Sequence, residues 1–190
     1  MTSVEEAGPR VRRRTPTDEW NAVAEEWLGH VPHNLWRKHS DAVNAILVDR
    51  WLPYRMLDRV LKTDLFDEAV TSGLYPVLAR HASSVAALDV SAAIISAAVA
   101  RYPKLKPYAA DVRALPFEPD SFDAIVSNST LDHFETKADI DAALKELYRV
   151  LKPGGTLILT LDNAANPVIA VRNSIPYRVT HGCNCECGRC

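Results

Sequence analysis

Cysteine is scarce in this sequence and is confined to its last residues. Residues 1–182 contain none, and all 4 cysteines lie between 183 and 190. Because the body of the chain has no cysteine, its fold cannot depend on disulfide bonds, which is typical of proteins in a reducing cytoplasm. We therefore expect a cytoplasmic protein.

Long apolar runs and a large net charge are also lacking. No run approaches the roughly 20 residues that a membrane-spanning helix needs, and the opening MTSVEEAGPR lacks the hydrophobic stretch of a signal peptide. The formal net charge is -2, which gives little attraction to nucleic acid or to an anionic membrane. The basic cluster at residues 10–14 is typical of a solvated arm. We expect neither nucleic acid nor a membrane as a partner.

The composition is that of a globular protein. Hydrophobic residues make up 47% of the 190 residues and charged residues 24%, which favours one domain with a proper core. The patterns divide the chain into a flexible arm (1–16), an N-terminal helical cap (17–57), a core (58–180) and a Cys-rich tail (181–190). Within the cap, Ser40 is expected at or near the start of a helix. The apolar face of that helix is expected to contain Val43, Ile46, Leu47, Trp51 and Leu52.

From about residue 58, short apolar strands alternate with amphipathic helices. Strands are predicted at 59–65, 84–89, 106–111, 121–128 and 156–161. Helices are predicted at 73–82, at 91–100 with Ser91 as the N-cap, and from the capping-box residue Thr136 to about Leu151. A turn is expected at 153–155. This alternation predicts an α/β fold with a doubly wound, Rossmann-like parallel sheet that carries helices on both faces.

Polar residues at the carboxyl ends of the strands form the candidate site, because ligands of such sheets bind there. Asp89 ends the second strand and could accept two hydrogen bonds from a ribose diol; a helix N-cap or a solvated turn acid is the alternative. Asp111 follows the third strand and could accept a hydrogen bond from an adenine amino group, while Val112 could offer its backbone N–H. A plain loop acid fits the position of Asp111 equally.

His133 lies just beyond the fourth strand. A histidine there could act as a general base on an acceptor hydroxyl or amine, although we favour a loop histidine that shapes the pocket. The tryptophans of the helical cap, Trp20 among them, could form a lid over the site. Aromatic residues at helical spacing are more often packing residues, so none is assigned a substrate role.

Three stretches of the core, in their order and spacing, resemble the class I S-adenosylmethionine-dependent methyltransferases of the small-molecule type. They are DVS (89–91), ADVRALPFEPDSFDAIVSNSTLDHF (110–134) and LKELYRVLKPGGTLILTLDN (144–163). The resemblance implies S-adenosylmethionine as the cofactor. It also implies a parallel sheet that is finished by an antiparallel C-terminal hairpin.

The resemblance also assigns residues at the strand ends to the cofactor. They are Asp89, Val90, Asp111, Val112, Asn128 and Ser129. Asp89 resembles the ribose-binding acid, Asp111 and Val112 resemble the adenine-contacting pair, and the residues 128–129 resemble those near the methionine moiety and the methyl group.

The loop after the first strand departs from the family pattern. The family usually has an acid followed by a G-x-G-x-G run, whereas this chain has KTDLFDEAVTSGLYP (62–76), in which Gly73 is the only glycine. Gly73 is taken as the glycine of the cofactor loop. Asp64, Asp67 and Glu68 are the candidates for the acid that would hold the cofactor's amino group, and Asp64 lies closest to the strand end.

The C-terminal end departs from the family as well. Residues 162–173 could start the helix that the family has there, but residues 177–190 do not provide its two strands, so we expect the hairpin to be missing and the chain to be truncated. The tail carries a C-x-C-x-C-x-x-C cluster near His181. Thiolates bind zinc, but the cluster has no distant cysteine partner, so we expect a disordered tail and no metal site.

These observations favour a methyltransferase that transfers a methyl group to an unidentified small-molecule acceptor. The alternative is a catalytically incompetent protein of the same fold that binds the cofactor weakly or not at all, as the glycine-poor loop and the absent hairpin indicate. A nicotinamide-dependent oxidoreductase is disfavoured, because no G-x-G-x-x-G follows the first strand.

Overall fold

The computed structural model describes residues 35–161 and, before them, Trp20, Asn21, Ala22, Ala24 and Leu28. The predictions for the arm (1–16), for the tail (181–190) and for a hairpin after Leu161 concern residues outside this part of the chain. None of the helices described is long and apolar enough to cross a bilayer.

The described residues contain a parallel sheet of five strands. In chain order these are β1 (Leu57–Lys62), β2 (Ala82–Asp89), β3 (Lys106–Ala109), β4 (Phe122–Asn128) and β5 (Leu151–Thr160). Their spatial order is β3-β2-β1-β4-β5, and each neighbouring pair is parallel. The prediction of a doubly wound parallel sheet is confirmed.

Two of the helices begin at their predicted caps. Within residues 35–161 the helices are α1 (Leu35–Trp51), α2 (Phe66–Val70), α3 (Tyr75–His81), α4 (Ala92–Arg101) and α5 (Lys137–Val150), with a 3-10 turn at Leu131–His133. At the start of α4, Ser91 Oγ accepts a hydrogen bond from the backbone N–H of Ile94 (3.4 Å). At the start of α5, Thr136 Oγ1 accepts one from the backbone N–H of Asp139 (3.1 Å). Each cap satisfies a donor that the first helical turn leaves without a partner.

Hydrophobic side chains are buried on both faces of the sheet. Successive residues of a strand point to opposite faces, so Val60 joins the core beneath α1 to α4 while Leu61 joins the core beneath α5. All residues of β4 are buried. The strand ends that form the candidate site are therefore held by two cores at once.

Helix α1 differs from its prediction in two ways. It begins before Ser40, so that residue lies within the helix rather than at its start. Its Val48 is buried, as is Leu52 directly after its end, whereas Ile46 is 67% exposed and Trp51 is 48% exposed. Apolar residues lie on several sides of this helix. The spacing of apolar residues in the sequence therefore predicted the helix but not the face that packs on the sheet.

Two segments next to strands also differ from their predictions. β1 ends at Lys62, and the residues after it form the short helix α2, which the sequence analysis did not predict. β5 begins at Leu151, so residues 153–155 lie within the strand, at an irregularity in its pairing with β4, and do not form a separate turn. Gly154 takes a positive φ of 73° there.

Candidate functional site

The reversal of strand order lies at β1. The chain places β2 and β3 on one side of β1 and then returns to place β4 on the other side. The loops that leave such strands diverge and open a crevice at their carboxyl ends, where ligands bind. The polar residues that reach this edge are Thr63, Asp64, Asp89, Asn128, Ser129 and Thr130.

Hydroxyl groups connect the ends of β1 and β4. Thr63 Oγ1 donates to Ser127 Oγ (3.0 Å) and also lies 2.8 Å from Thr130 Oγ1. Thr130 Oγ1 is in turn 3.4 Å from Asp64 Oδ2. Thr63 and Ser127 are buried, so this network fixes the relative position of the two loops at the edge of the crevice.

The acid positions after β1 surround a buried lysine. Lys62 Nζ lies 2.9 Å from Glu68 Oε2 and 3.1 Å from Asp64 Oδ1. It also donates to the backbone oxygen of Asp64 (2.9 Å). Lys62 is 1% exposed and Glu68 is 0% exposed, whereas the side chain of Asp64 is 22% exposed. Of these two acids, the geometry leaves only Asp64 within reach of a ligand.

Glu68 links this cluster to the start of α3. Its Oε1 accepts hydrogen bonds from the backbone N–H groups of Leu74 (2.8 Å) and Tyr75 (3.0 Å). Gly73 has a φ of 55°, and a Cβ atom placed there would lie 2.5 Å from the Glu68 carboxyl group. Gly73 is therefore needed for a left-handed turn packed directly on Glu68, a structural reason for the glycine that the sequence analysis did not consider.

Asp89 ties the end of β2 to the loop after β1. Its Oδ2 accepts from the backbone N–H of Leu65 (3.1 Å) and its Oδ1 from that of Ser91 (2.8 Å). Burial raises the pKa of Asp89 to about 6, and the nearby Asp64 carboxylate adds to the rise, although the two backbone hydrogen bonds oppose it. Each carboxylate oxygen retains a second lone pair that could accept a hydroxyl donor.

Asp111 is held by Arg113. The guanidinium group contacts both Asp111 oxygens, the shortest contact being 2.6 Å from Nη2 to Oδ2. Arg113 Nη1 also binds Asp139 Oδ1 (2.6 Å), and its Cζ lies 5.0 Å from the ring centroid of Phe134. Burial alone would raise the pKa of Asp111, but the hydrogen bonds and charge of Arg113 outweigh it and hold that pKa below its usual value. The neighbouring Val112 is 3% exposed.

Asn128 and Ser129 lie where β4 ends beside β5. Asn128 Oδ1 accepts from Thr160 Oγ1 (2.6 Å), and the backbone N–H of Ser129 donates to the backbone oxygen of Thr160 (3.0 Å). Ser129 has a φ of 48°, a left-handed conformation that is uncommon for a residue with a side chain. Such conformations cluster at functional sites.

His133 contacts an aromatic residue of the N-terminal segment. Its ring centroid lies 5.0 Å from that of Trp20, and the two planes meet at 83°. This edge-to-face geometry is a favourable arrangement of two aromatic rings. It places Trp20 against the turn that follows β4.

Comparison with known proteins shows similarity to one family. Residues 68–159 match the methyltransferase domain family. This match and the parallel sheet support the expected resemblance to the class I S-adenosylmethionine-dependent methyltransferases. The chain is 36% identical over 126 residues to the demethylmenaquinone methyltransferase of Streptomyces avermitilis, a match that covers 66% of this chain and 48% of that protein.

Further relatives agree with this similarity. The chain is 31% identical over 150 residues to the malonyl-[acyl-carrier protein] O-methyltransferase of Enterobacter lignolyticus, which covers 76% of this chain and 55% of that protein. The chain thus spans about half the length of these curated relatives. The crystal structure of the N-methyltransferase NodS from Bradyrhizobium japonicum, solved with S-adenosyl-L-homocysteine, has the same fold, with a TM-score of 0.58 and 21% identity over 74% of this chain and 71% of that one.

The methyltransferase fold brings most of the predicted site residues to one edge of the sheet. Asp64, Asp89 and the pair 128–129 lie at the ends of the three central strands, and Asp111 follows the outer strand β3. Gly73 is set apart by its packing on Glu68. Sequence reasoning missed Lys62, because a single charged residue within an apolar strand gives no local signal of its partners. Among the described residues, no cluster of histidine, cysteine, aspartate and glutamate could hold a metal ion.

Proposed function

We propose that this chain is a methyltransferase that uses S-adenosylmethionine and acts on a small-molecule acceptor. The observation that supports this proposal is the placement of Asp64 and Asp89 at the ends of adjacent strands, where the order of the sheet reverses. The two carboxylates are close enough that Asp64 raises the pKa of Asp89. They offer one acceptor for an ammonium group and one for a pair of hydroxyl groups.

The residues at the strand ends fit the cofactor. Asp89 would accept the ribose hydroxyls through the lone pairs that Leu65 and Ser91 leave open. Asp64 would hold the amino group, and Asp111 with Val112 would contact adenine. Asn128 and Ser129, with Val90 beside the ribose position, complete the set that we propose, whereas we give Gly73 its role in the turn rather than a contact with the cofactor.

The chemistry requires little acid–base help from the protein. The cofactor, when bound, supplies a methyl group on a positively charged sulfur that is already activated for transfer. The work of the chain is to hold the acceptor atom in line with that methyl group and to exclude water. We assign His133 to the acceptor side as a pocket residue that could also accept a proton from a hydroxyl or amine acceptor.

The acceptor itself is proposed only by class. The two curated relatives above are named for different acceptors, a quinone precursor and a malonyl group on a carrier protein. We favour a small molecule, with neither nucleic acid nor membrane as a partner, because the net charge of -2 provides no general attraction to polyanions. We also propose a cytoplasmic location, since residues 1–182 contain no cysteine.

The test is calorimetric titration of the purified chain with S-adenosylmethionine and S-adenosylhomocysteine. We expect binding at about micromolar dissociation constants and a loss of about 1 to 3 kcal/mol in Asp89→Ala, the cost of leaving buried partners unpaired. Asp58→Ala is the matched control, because Asp58 is an exposed acid at the opposite end of β1. A folded, monodisperse sample that binds neither compound would favour the catalytically incompetent alternative.

A further inference from the structure

Lys62 is among the largest fully buried side chains of the described residues. It ends β1, a central strand of a parallel sheet, where apolar residues are the rule. An ammonium group at this depth costs several kcal/mol unless it is paired and hydrogen-bonded. A leucine or methionine could fill the same space without that cost, so the reason for a lysine lies in the groups that its ammonium contacts.

Those contacts are two ion pairs with carboxylates and one hydrogen bond to a backbone oxygen. Nζ lies 2.9 Å from Glu68 Oε2, 3.1 Å from Asp64 Oδ1 and 2.9 Å from the backbone oxygen of Asp64. Burial alone would lower the pKa of Lys62, but the carboxylates of Asp64, Glu68 and Asp67 outweigh burial and raise that pKa above its usual value. Lys62 is therefore an ammonium ion at neutral pH.

The charges of this cluster do not cancel. One ammonium faces the carboxylates of Asp64 and Glu68, so the three side chains together carry one excess negative charge. Glu68 is 0% exposed, and its second oxygen already accepts from Leu74 and Tyr75. Of these two acids, Asp64 is thus the one at which the excess charge is available, since its side chain is 22% exposed.

The orientation of Asp64 is set by the lysine. Oδ1 is held by Nζ, and the same Nζ holds the backbone oxygen, so both the side chain and the main chain of this residue are fixed to one point. The other oxygen, Oδ2, faces the end of β4, where its contact with Thr130 Oγ1 is a long one of 3.4 Å. Oδ2 is therefore placed toward the crevice with a weak partner.

We propose that Lys62 is a positioning residue that aims the Asp64 carboxylate at the amino group of the bound cofactor, with Glu68 as its counter-ion. This inference rests on the function proposed above. The loop after β1 contains only one glycine, Gly73. Its main chain is instead fixed by the buried ion pair of Lys62 and Glu68. The exposed acid then carries the one negative charge that an ammonium group requires.

The experiment compares two nucleosides on the full chain. S-adenosylhomocysteine carries the amino-acid group, whereas 5′-methylthioadenosine has the same adenosine and a thioether but lacks that group. Asp64→Asn keeps the Lys62–Glu68 pair intact, and the double variant Lys62→Met with Glu68→Gln removes both buried charges together, so that neither is left unpaired. Asp58→Asn, at the opposite end of β1, is the control.

We expect both variants to bind S-adenosylhomocysteine about tenfold more weakly and to bind 5′-methylthioadenosine within about twofold of the wild type. Equal losses for the two nucleosides in the double variant would show a merely structural role for Lys62 and overturn the inference. Unchanged affinity for S-adenosylhomocysteine in Asp64→Asn would overturn it as well, even if the double variant does not fold. A wild-type chain that binds neither nucleoside would refute the proposed function, and with it this inference.

Discussion

The carboxylate of Asp89 accepts a hydrogen bond from the backbone N–H of Leu65 at 3.1 Å, across 24 positions of the chain. Leu65 directly precedes α2, so this contact fastens the loop after β1 to the end of β2. The residue proposed to hold the ribose therefore also shapes the loop beside it. Substitutions at Asp89 will therefore affect both the stability of the fold and the binding of the cofactor. The effect on stability is recognised by its dependence on pH.

The first prediction concerns that pH dependence. The pKa of Asp89 is raised from 3.8 to about 6 in the folded chain, so between these values the folded state binds more protons than the unfolded state. The free energy of unfolding should then fall as pH rises from about 4 to about 6, by roughly 2 to 3 kcal/mol from this group alone. In Asp89→Asn this contribution is absent.

Urea unfolding of the wild type and of Asp89→Asn at a series of pH values from 4 to 8 measures the contribution of Asp89 to the free energy of unfolding. The stability of Asp89→Asn relative to the wild type should increase through this window and level off above about pH 6. The variant also loses one acceptor for a backbone N–H, which shifts the whole curve downward without changing its shape. A difference between the two proteins that is constant with pH would contradict the raised pKa.

The second prediction compares two glycines. Gly73→Ala should destabilise the chain by about 2 to 4 kcal/mol, because its φ is 55° and the added Cβ would lie 2.5 Å from a Glu68 carboxyl group held by Lys62. Gly154→Ala is the matched control. Its φ is 73° but nothing lies within 4 Å of the added Cβ, so only backbone strain of about 1 kcal/mol applies. Equal losses in chemical denaturation would contradict the packing of Gly73 on Glu68.

The sequence predicted the fold well where patterns are local. Alternating apolar strands and amphipathic helices gave the sheet, and Ser91 and Thr136 cap the helices that follow them. The face that α1 buries was not predictable, because Ile46 and Trp51 have the same apolar character as Val48 and yet remain exposed. Which side of a helix is covered depends on its neighbours in space.

The site was predictable only at its strand ends. Asp89 and Asp111 follow strands that the sequence reveals, so their placement at the edge of the sheet follows from topology. The choice between Asp64 and Glu68 required the structure, because it depends on Lys62, which draws Glu68 inward and leaves Asp64 outward. The helix α2 was missed because it has five residues and no side-chain cap.

The third prediction concerns Asp111 and Arg113. We expect Asp111→Asn and Arg113→Met each to weaken the binding of 5′-methylthioadenosine by about threefold to tenfold, the range of one partly exposed hydrogen bond. Arg113 acts by holding Asp111. The double variant should therefore lose little more affinity for 5′-methylthioadenosine than whichever single variant binds it more weakly. Calorimetry on the four proteins completes the cycle. Full additivity would mean that the two side chains act independently.

The last prediction uses the two non-glycine residues of the described chain that have a positive φ, Ser129 (48°) and Asp120 (55°). Glycine relieves the left-handed strain but makes the unfolded chain more flexible, so each substitution to glycine should stabilise by about 0.5 to 1 kcal/mol. Asp120 is an exposed turn residue before β4, whereas Ser129 lies beyond the carboxyl end of that strand.

Ser129→Gly should therefore also weaken S-adenosylhomocysteine binding by about threefold or more, through loss of a hydroxyl and of a fixed backbone. Asp120→Gly should leave that binding unchanged. If Ser129→Gly gains stability without losing affinity, the strain at Ser129 serves the turn between β4 and the 3-10 helix and not the cofactor.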